Sequence, residues 1–196
     1  MNKVVTKNYA APVINEREIL RYAGCDAGNE QARGIMCECI DEASRVLSYK
    51  VCFTELMLIN DGKVCDFGSF SVVSEKLCKN LAGCEKVLLF AATVGIALDR
   101  LIARYSRISP AKALFMQAVG SERVESLCDA FCEDMKTERN IVLQPRFSPG
   151  YGDVSIDVQK DIFRILNCPK NIGVVLNDSL LMSPSKTVTA FVGICK

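Results

Sequence analysis

The spacing of apolar residues changes character several times along this chain, and each change marks an element. Residues 1–14 alternate apolar and polar positions around Pro12 and predict an extended lead-in. Asn15 suits a helix N-cap with Glu18 at the capping-box position, so a short helix runs to about Tyr22 before Gly24 stops it. Over residues 29–47, Ile35, Met36, Ile40, Ala43 and Leu47 recur roughly three or four apart, the period of an amphipathic helix. From Tyr49 the pattern becomes extended, through Val51, Phe53, Leu56 and Leu58. Asn60-Asp61-Gly62 then precedes Val64 and Phe67, and Asp-Gly between two apolar runs predicts a hairpin. Ser74 caps a helix to about Ala82, ended by Gly83.

The second half opens on a continuous apolar strand, Val87-Leu88-Leu89-Phe90, followed by the small residues Ala91-Ala92-Thr93-Val94-Gly95. Small residues there leave room for a ligand or for tight helix packing, and packing is the commoner reason. A helix follows over about residues 96–105, and Ser109-Pro110 starts another with proline in its first turn. That helix runs to about Glu138, with Gly120 as a candidate point of interruption, and its apolar face includes Leu114, Ala118, Val124, Leu127 and Phe131. Glu122 and Glu125 lie on the same segment, Glu125 at the margin of the apolar stripe. After the apolar run Ile141-Val142-Leu143 and a Gly-Pro loop come a helix over 157–166, closed by Asn167-Cys168-Pro169, the run 172–176, the turn Met182-Ser183-Pro184 and a last strand over 188–194. The mixture predicts a single α+β domain over residues 1–196, with a mixed, largely antiparallel sheet and helices packed on it.

Composition narrows the function classes. The 196 residues carry 24 basic and 23 acidic side chains, a net charge of +1 with no run of one sign, which argues against a dedicated nucleic-acid surface. No stretch approaches the roughly 18 consecutive apolar residues of a membrane span, and the first ten residues lack the apolar core of a signal peptide. A cytoplasmic protein is expected. The eleven cysteines are odd in number and irregularly spaced, so they read as small buried residues or free thiols. Cys37-Glu38-Cys39 and the pair Cys128 and Cys132 are the two placements with metal-ligand character, and neither supplies a four-ligand set, so no metal is expected. There is no histidine, which removes Ser-His-Asp and Cys-His catalysis and every imidazole metal site from this chain.

The stretch with most chemical character is Arg146-Phe147-Ser148-Pro149-Gly150-Tyr151-Gly152. Proline fixes one φ and glycine permits positive φ, so the loop can hold an unusual path and let a ligand approach the backbone. Arg146 offers a forked donor for a carboxylate or phosphate, and Tyr151 an aromatic face with a polar tip. The same residues also suit a plain well-formed turn.

Taken in order, these pieces resemble the activation domain of cobalamin-dependent methionine synthase, in the short free-standing form of anaerobic bacteria. The loop at 146–152 is similar to the family's R-x-x-P-G-Y element. Ile172-Gly173-Val174-Val175-Leu176-Asn177-Asp178-Ser179 is similar to I-G-x-x-L-T-x-S, and Met182-Ser183-Pro184-Ser185-Lys186-Thr187-Val188-Thr189 to M-x-P-x-x-S-V-x. Ala91 to Gly95 and the helix from Gly120 to Phe131 resemble segments of the free-standing members, and the likeness spans roughly residues 15–195. The resemblance implies S-adenosylmethionine binding and the reductive methylation of cob(II)alamin on a partner, with an electron from a flavodoxin-type donor. It implies that Arg146 holds the methionyl carboxylate and that the backbone around Ser148 and Gly150 holds the methionine and sulfonium portion. Tyr151 takes the catalytic position where the methyl faces the corrin, and Glu125 contacts the ligand's ammonium. The sulfonium is an activated methyl donor, so such chemistry asks for alignment rather than proton transfer.

Four departures accompany the resemblance. No counterpart is found for an N-terminal acidic ligand contact of the larger enzymes, and their tyrosine pair falls beyond Lys196, which implies a more open site or one completed by a partner. Asn177-Asp178 replaces Thr-Glu, and Lys186-Thr187 lies where the large enzymes carry small residues, although a lysine there resembles the short relatives. Cobalamin has to come with the partner, because no histidine here can be its lower ligand. The leading expectation is a reactivation subunit for the cobalamin module of a methionine synthase. The alternatives are a partner of another corrinoid protein and a non-catalytic scaffold that holds a corrinoid protein in one conformation.

Overall fold

The computed structural model describes residues 3–26 and 28–195. In chain order they form β1 (Val5–Tyr9), α1 (Glu16–Ala23), α2 (Glu30–Ser44), β2 (Tyr49–Met57), β3 (Ile59–Asn60), β4 (Val64–Asp66), β5 (Ser71–Val73), α3 (Glu75–Asn80), β6 (Lys86–Thr93), α4 (Ala97–Ile108), α5 (Pro110–Arg139), β7 (Val142–Leu143), α6 (Val158–Leu166), α7 (Cys168–Ile172), β8 (Val175–Leu176), β9 (Met182–Ser183) and β10 (Thr187–Cys195). The main sheet is antiparallel at every pairing, in the order β1-β2-β6-β10-β7. The fold is α+β, as the alternation of elements predicts.

β6 sits in the middle of that sheet, paired with β2 from Lys86 to Thr93 and with β10 over the same residues. Successive strand residues point to opposite faces, so Leu88, Phe90 and Ala92 enter one core while Val87, Leu89 and Ala91 enter another. Its unbroken apolar run follows from burial on both sides. The first core lies under α1, α2, α4 and α5, where Phe131 packs between Phe53 and Phe90 at 5.1 and 4.9 Å. The second lies under α3, α6, α7 and the small β3-β4-β5 sheet.

Helix starts follow the capping residues closely. Asn15, Asn29, Ser74 and Ser109 each accept a hydrogen bond from the backbone N–H three residues on, filling one of the donors that a helix start leaves open. α5 runs its full 30 residues, about 45 Å at 1.5 Å per residue, without a break at Gly120. A side chain at Gly120 would collide with Leu98 and stand 2.8 Å from Lys186 Cγ, so this glycine serves close packing rather than a kink.

Several local expectations are revised. Part of the extended lead-in is a true strand, with β1 pairing β2 from Val5 opposite Phe53 to Tyr9 opposite Tyr49. The expected hairpin at Asn60-Asp61-Gly62 is present, joining β3 to β4 in the small sheet. Within 172–176 only Val175 and Leu176 are strand, because Pro169 starts α7 and Gly173 closes it in a left-handed conformation. Leu114 is 47% exposed rather than in the core, where Phe115 and Met116 take its place.

Candidate functional site

β7 is two residues long, but the chain stays beside β10 after it ends. Leu143 faces Ile194, the Gln144 N–H donates to Gly193 O at 2.9 Å, and the next exchange is Phe147 with Phe191 at 2.9 and 2.8 Å. Pro145 and Arg146 therefore stand opposite the single residue Val192, a one-residue bulge. Proline is suited to that place because it has no N–H to give to the ladder. Past the bulge, Phe147 is buried in the second core and Arg146 reaches the other way, to α5.

On α5 the guanidinium meets two carboxylates one helical turn apart. Nη1 donates to Asp129 Oδ1 at 2.5 Å and Nη2 to Glu125 Oε2 at 2.8 Å. The arginine side chain is 24% exposed, while Glu125 and Asp129 are 42% and 72% exposed. Burial alone would lower the arginine's pKa, but Cys128, Asp129 and Glu125 more than reverse this, so it stays a fixed cation. One guanidinium against two carboxylates leaves a single net negative charge at an open edge. Cys128 and Cys132 lie close to Arg146 on the same helix, and burial pushes both thiols up. Among the described residues no three His, Cys, Asp or Glu side chains gather as a metal set.

Beyond Arg146 the chain folds back on itself. Gly150 N–H donates to Val154 O at 2.9 Å and Tyr151 N–H to Ser148 O at 3.1 Å. Gly150 and Gly152 have φ of 83° and 64°, the left-handed region that a side chain disfavours. Phe147 and Val154 anchor the turn in the core, and the Asp153 carboxylate accepts from Ser74 Oγ and from Lys76 N–H at the start of α3. Tyr151 stands out from this anchored turn, 70% exposed, its ring edge-on to Phe147 at 5.5 Å.

An open cleft of about 490 Å³ runs beside Arg146, lined by Asp129, Cys132, Glu133, Lys136 and residues 143–146. That is within the roughly 300–1,000 Å³ of ordinary small-molecule sites. A larger cleft of about 700 Å³, between the β3-β4 turn and α3, holds none of the expected ligand contacts. Of the residues singled out from sequence, Arg146 and Glu125 are in direct contact, Ser148 and Gly150 shape the adjoining turn, and Tyr151 stands at its outer end. Asp129 was missed, although its position four residues after Glu125 puts it on the same face of α5.

The fold is similar to that of the MetH reactivation domain. Among solved structures, the crystal structure of the MetH reactivation domain bound to AdoHcy superposes with a TM-score of 0.70 over 98% of this chain and 78% of its own, at 13% identity. At that identity the likeness is one of fold. No protein-family model and no curated protein matches the chain. Among the described residues no helix is long and apolar enough to cross a membrane.

Proposed function

We propose that this chain is an S-adenosylmethionine-binding subunit that supports reductive methylation of the corrinoid on a partner protein, in the first place the cobalamin module of a methionine synthase. The observation that carries the reading is the Arg146–Glu125–Asp129 cluster on the fold of a reactivation domain. S-adenosylmethionine carries a carboxylate, an ammonium and a sulfonium, so its one net positive charge complements the cluster's net negative one. The ligand carboxylate displaces Asp129 from the guanidinium, a small cost because an exposed pair is worth only about 0–1 kcal/mol. Its ammonium then meets Glu125.

The neighbouring solved domain was crystallised with AdoHcy, the demethylated form of the same ligand, which supports this ligand class. When the partner is bound, its corrinoid supplies a strongly nucleophilic metal centre, and a flavodoxin-type donor supplies the single electron. The chain itself does three things. Arg146 and Glu125 fix the amino-acid end of the ligand. The anchored turn at 148–152 walls the sulfonium, and Tyr151, the exposed aromatic of that turn, orients the methyl toward the docked partner and keeps water from it. None of these steps moves a proton, so a chain without histidine suffices.

Titration calorimetry with S-adenosylmethionine tests the reading. Wild type binds saturably, and Arg146→Ala weakens binding by about 1.5–3 kcal/mol, the range for a hydrogen bond to a charged group. If the free chain does not bind, the titration is repeated with a cobalamin module present. Silence in both sinks the proposal and leaves a scaffold.

A further inference from the structure

The polar edge of α5 extends one turn beyond the cluster. Ser121, Glu125 and Asp129 are spaced by four and share one helix face, with neighbouring Cβ atoms about 6 Å apart. Lys186 donates from Nζ to Ser121 Oγ at 2.9 Å, and that hydroxyl in turn donates to Gln117 O at 3.1 Å. A second cation thus stands at Ser121, one helical turn before Glu125 and on the side away from Arg146.

This lysine is held in place and, among the described residues, forms no ion pair. Its carbonyl accepts from Val94 N–H at 3.2 Å and Thr93 Oγ1 at 3.4 Å, fixing the backbone to the end of β6. Its stem crosses α5 at Gly120, where an added Cβ would stand 2.8 Å from Lys186 Cγ. A glycine inside a helix costs about 1 kcal/mol relative to alanine, and here it gives the lysine stem and Leu98 their passage. Asp99, the acid whose charge acts on Lys186, is engaged by the N–H and hydroxyl of Ser185. Among the described residues no carboxylate lies within 4.0 Å of Lys186 Nζ. An ammonium has three donors, and one is used. Burial lowers its pKa, and Asp99 only partly counters this.

We propose that Lys186 binds the nucleoside end of the ligand, donating to the ribose hydroxyl oxygens while Arg146 and Glu125 hold the amino-acid end. The inference rests on the S-adenosylmethionine reading above. The sulfonium arm of the ligand separates carboxylate from ribose, as the helix row separates Arg146 from Lys186. Hydroxyl oxygens suit this donor because they accept without demanding a second full charge beside Glu125.

The test uses Lys186→Met, which keeps the stem over Gly120 and drops the ammonium, with unchanged circular dichroism and urea midpoint as the folding control. Wild type and variant are titrated with S-adenosylmethionine and with its 2′-deoxy and 3′-deoxy ribose analogues. Wild type loses about tenfold in affinity when the contacted hydroxyl is absent. Lys186→Met binds the parent ligand about tenfold more weakly and no longer distinguishes the analogues. The proposal is overturned if the variant binds like wild type, or if it weakens every ligand equally and keeps the discrimination. If wild type binds and Arg146→Ala weakens it while Lys186→Met does not, this inference alone falls. If wild type binds nothing even with a cobalamin module, both fall together.

Discussion

Helix α5 takes part in two arginine–carboxylate arrangements whose carboxylates lie within a few residues of each other, and they have opposite fates. Arg123 and Glu122 are 1% and 2% exposed, joined by Nε to Oε2 and Nη2 to Oε1 contacts of 2.5 Å. What remains of their capacity goes to protein groups. Arg123 donates to Pro12 O at 2.6 Å and Val13 O at 2.8 Å, while Glu122 accepts from Asn15 N–H at 3.0 Å and Ser126 Oγ at 2.7 Å. The pair straps the segment before α1 onto α5. Arg146 with Glu125 and Asp129 uses the same chemistry at an open edge, with acids that water already reaches. What separates a structural ion pair from a site is whether the chain itself takes up every remaining donor and acceptor.

The largest effect that probes this contrast is on stability. Glu122→Ala leaves a guanidinium buried without its carboxylate, and breaking such a pair costs about 3–5 kcal/mol. Arg146→Ala, removing an equally charged residue, costs less than about 1 kcal/mol. Urea unfolding of the two variants measures both, and equal losses would erase the distinction. Binding reverses the order. Glu125→Gln leaves the unfolding midpoint unchanged and weakens S-adenosylmethionine by about 1.5 kcal/mol, roughly tenfold, because one charged acceptor for the ligand's ammonium is gone. An unchanged affinity in calorimetry would remove Glu125 from the site.

The contrast also shows what local sequence carries. The caps at Asn15, Asn29, Ser74 and Ser109 are legible because a side chain and the N–H it serves lie three residues apart. The apolar run of β6 is legible because both its faces are buried. β1 is less so, since its role depends on β2, which follows some forty residues later. The bulge at Pro145 and Arg146 exists only relative to the register of β10 and leaves no mark in the loop itself. Glu122 and Arg123 are adjacent, a spacing that ordinarily does not bring helix side chains together, so their pairing came from burial and not from periodicity. The family resemblance assigns Arg146 and Glu125 to the two ends of one amino-acid group, and their direct contact is visible only in the fold. Asp129 carried only its four-residue spacing.

Cysteines on α5 sharpen the same comparison at a smaller scale. Cys128 is fully buried and Cys132 is partly exposed beside the cleft. Burial raises both thiols, which slows attack because the thiolate is the nucleophile. With a disulfide reagent at neutral pH, the exposed Cys37 reacts first, Cys132 slowly and Cys128 not at all, as read by peptide mass mapping. Saturating S-adenosylmethionine slows Cys132 and leaves Cys37 unchanged. Protection of Cys37, or none at Cys132, would move the ligand away from the Arg146 cleft.

The smallest effect concerns the tie that holds the turn at 148–152 against α3. Asp153 has its pKa held below the usual carboxylate value, first by the Ser74 hydroxyl and further by the Lys76 N–H. A carboxylate whose folded pKa is depressed adds stability that is fully present above its unfolded value, about 3.9, and is lost as pH falls through the lower folded value. Asp153→Asn therefore unfolds at lower urea than wild type by a constant margin from about pH 7 to pH 5, and the margin closes as the pH falls below the unfolded value and through the lower folded one. The mutation touches neither Arg146 nor Glu125, so at pH 7 any weakening of ligand binding it causes comes through the position of the turn. A margin that grows on acidification would mean that the tie acts through the protonated acid, and no margin at any pH would leave the shape of the turn to Phe147 and Val154.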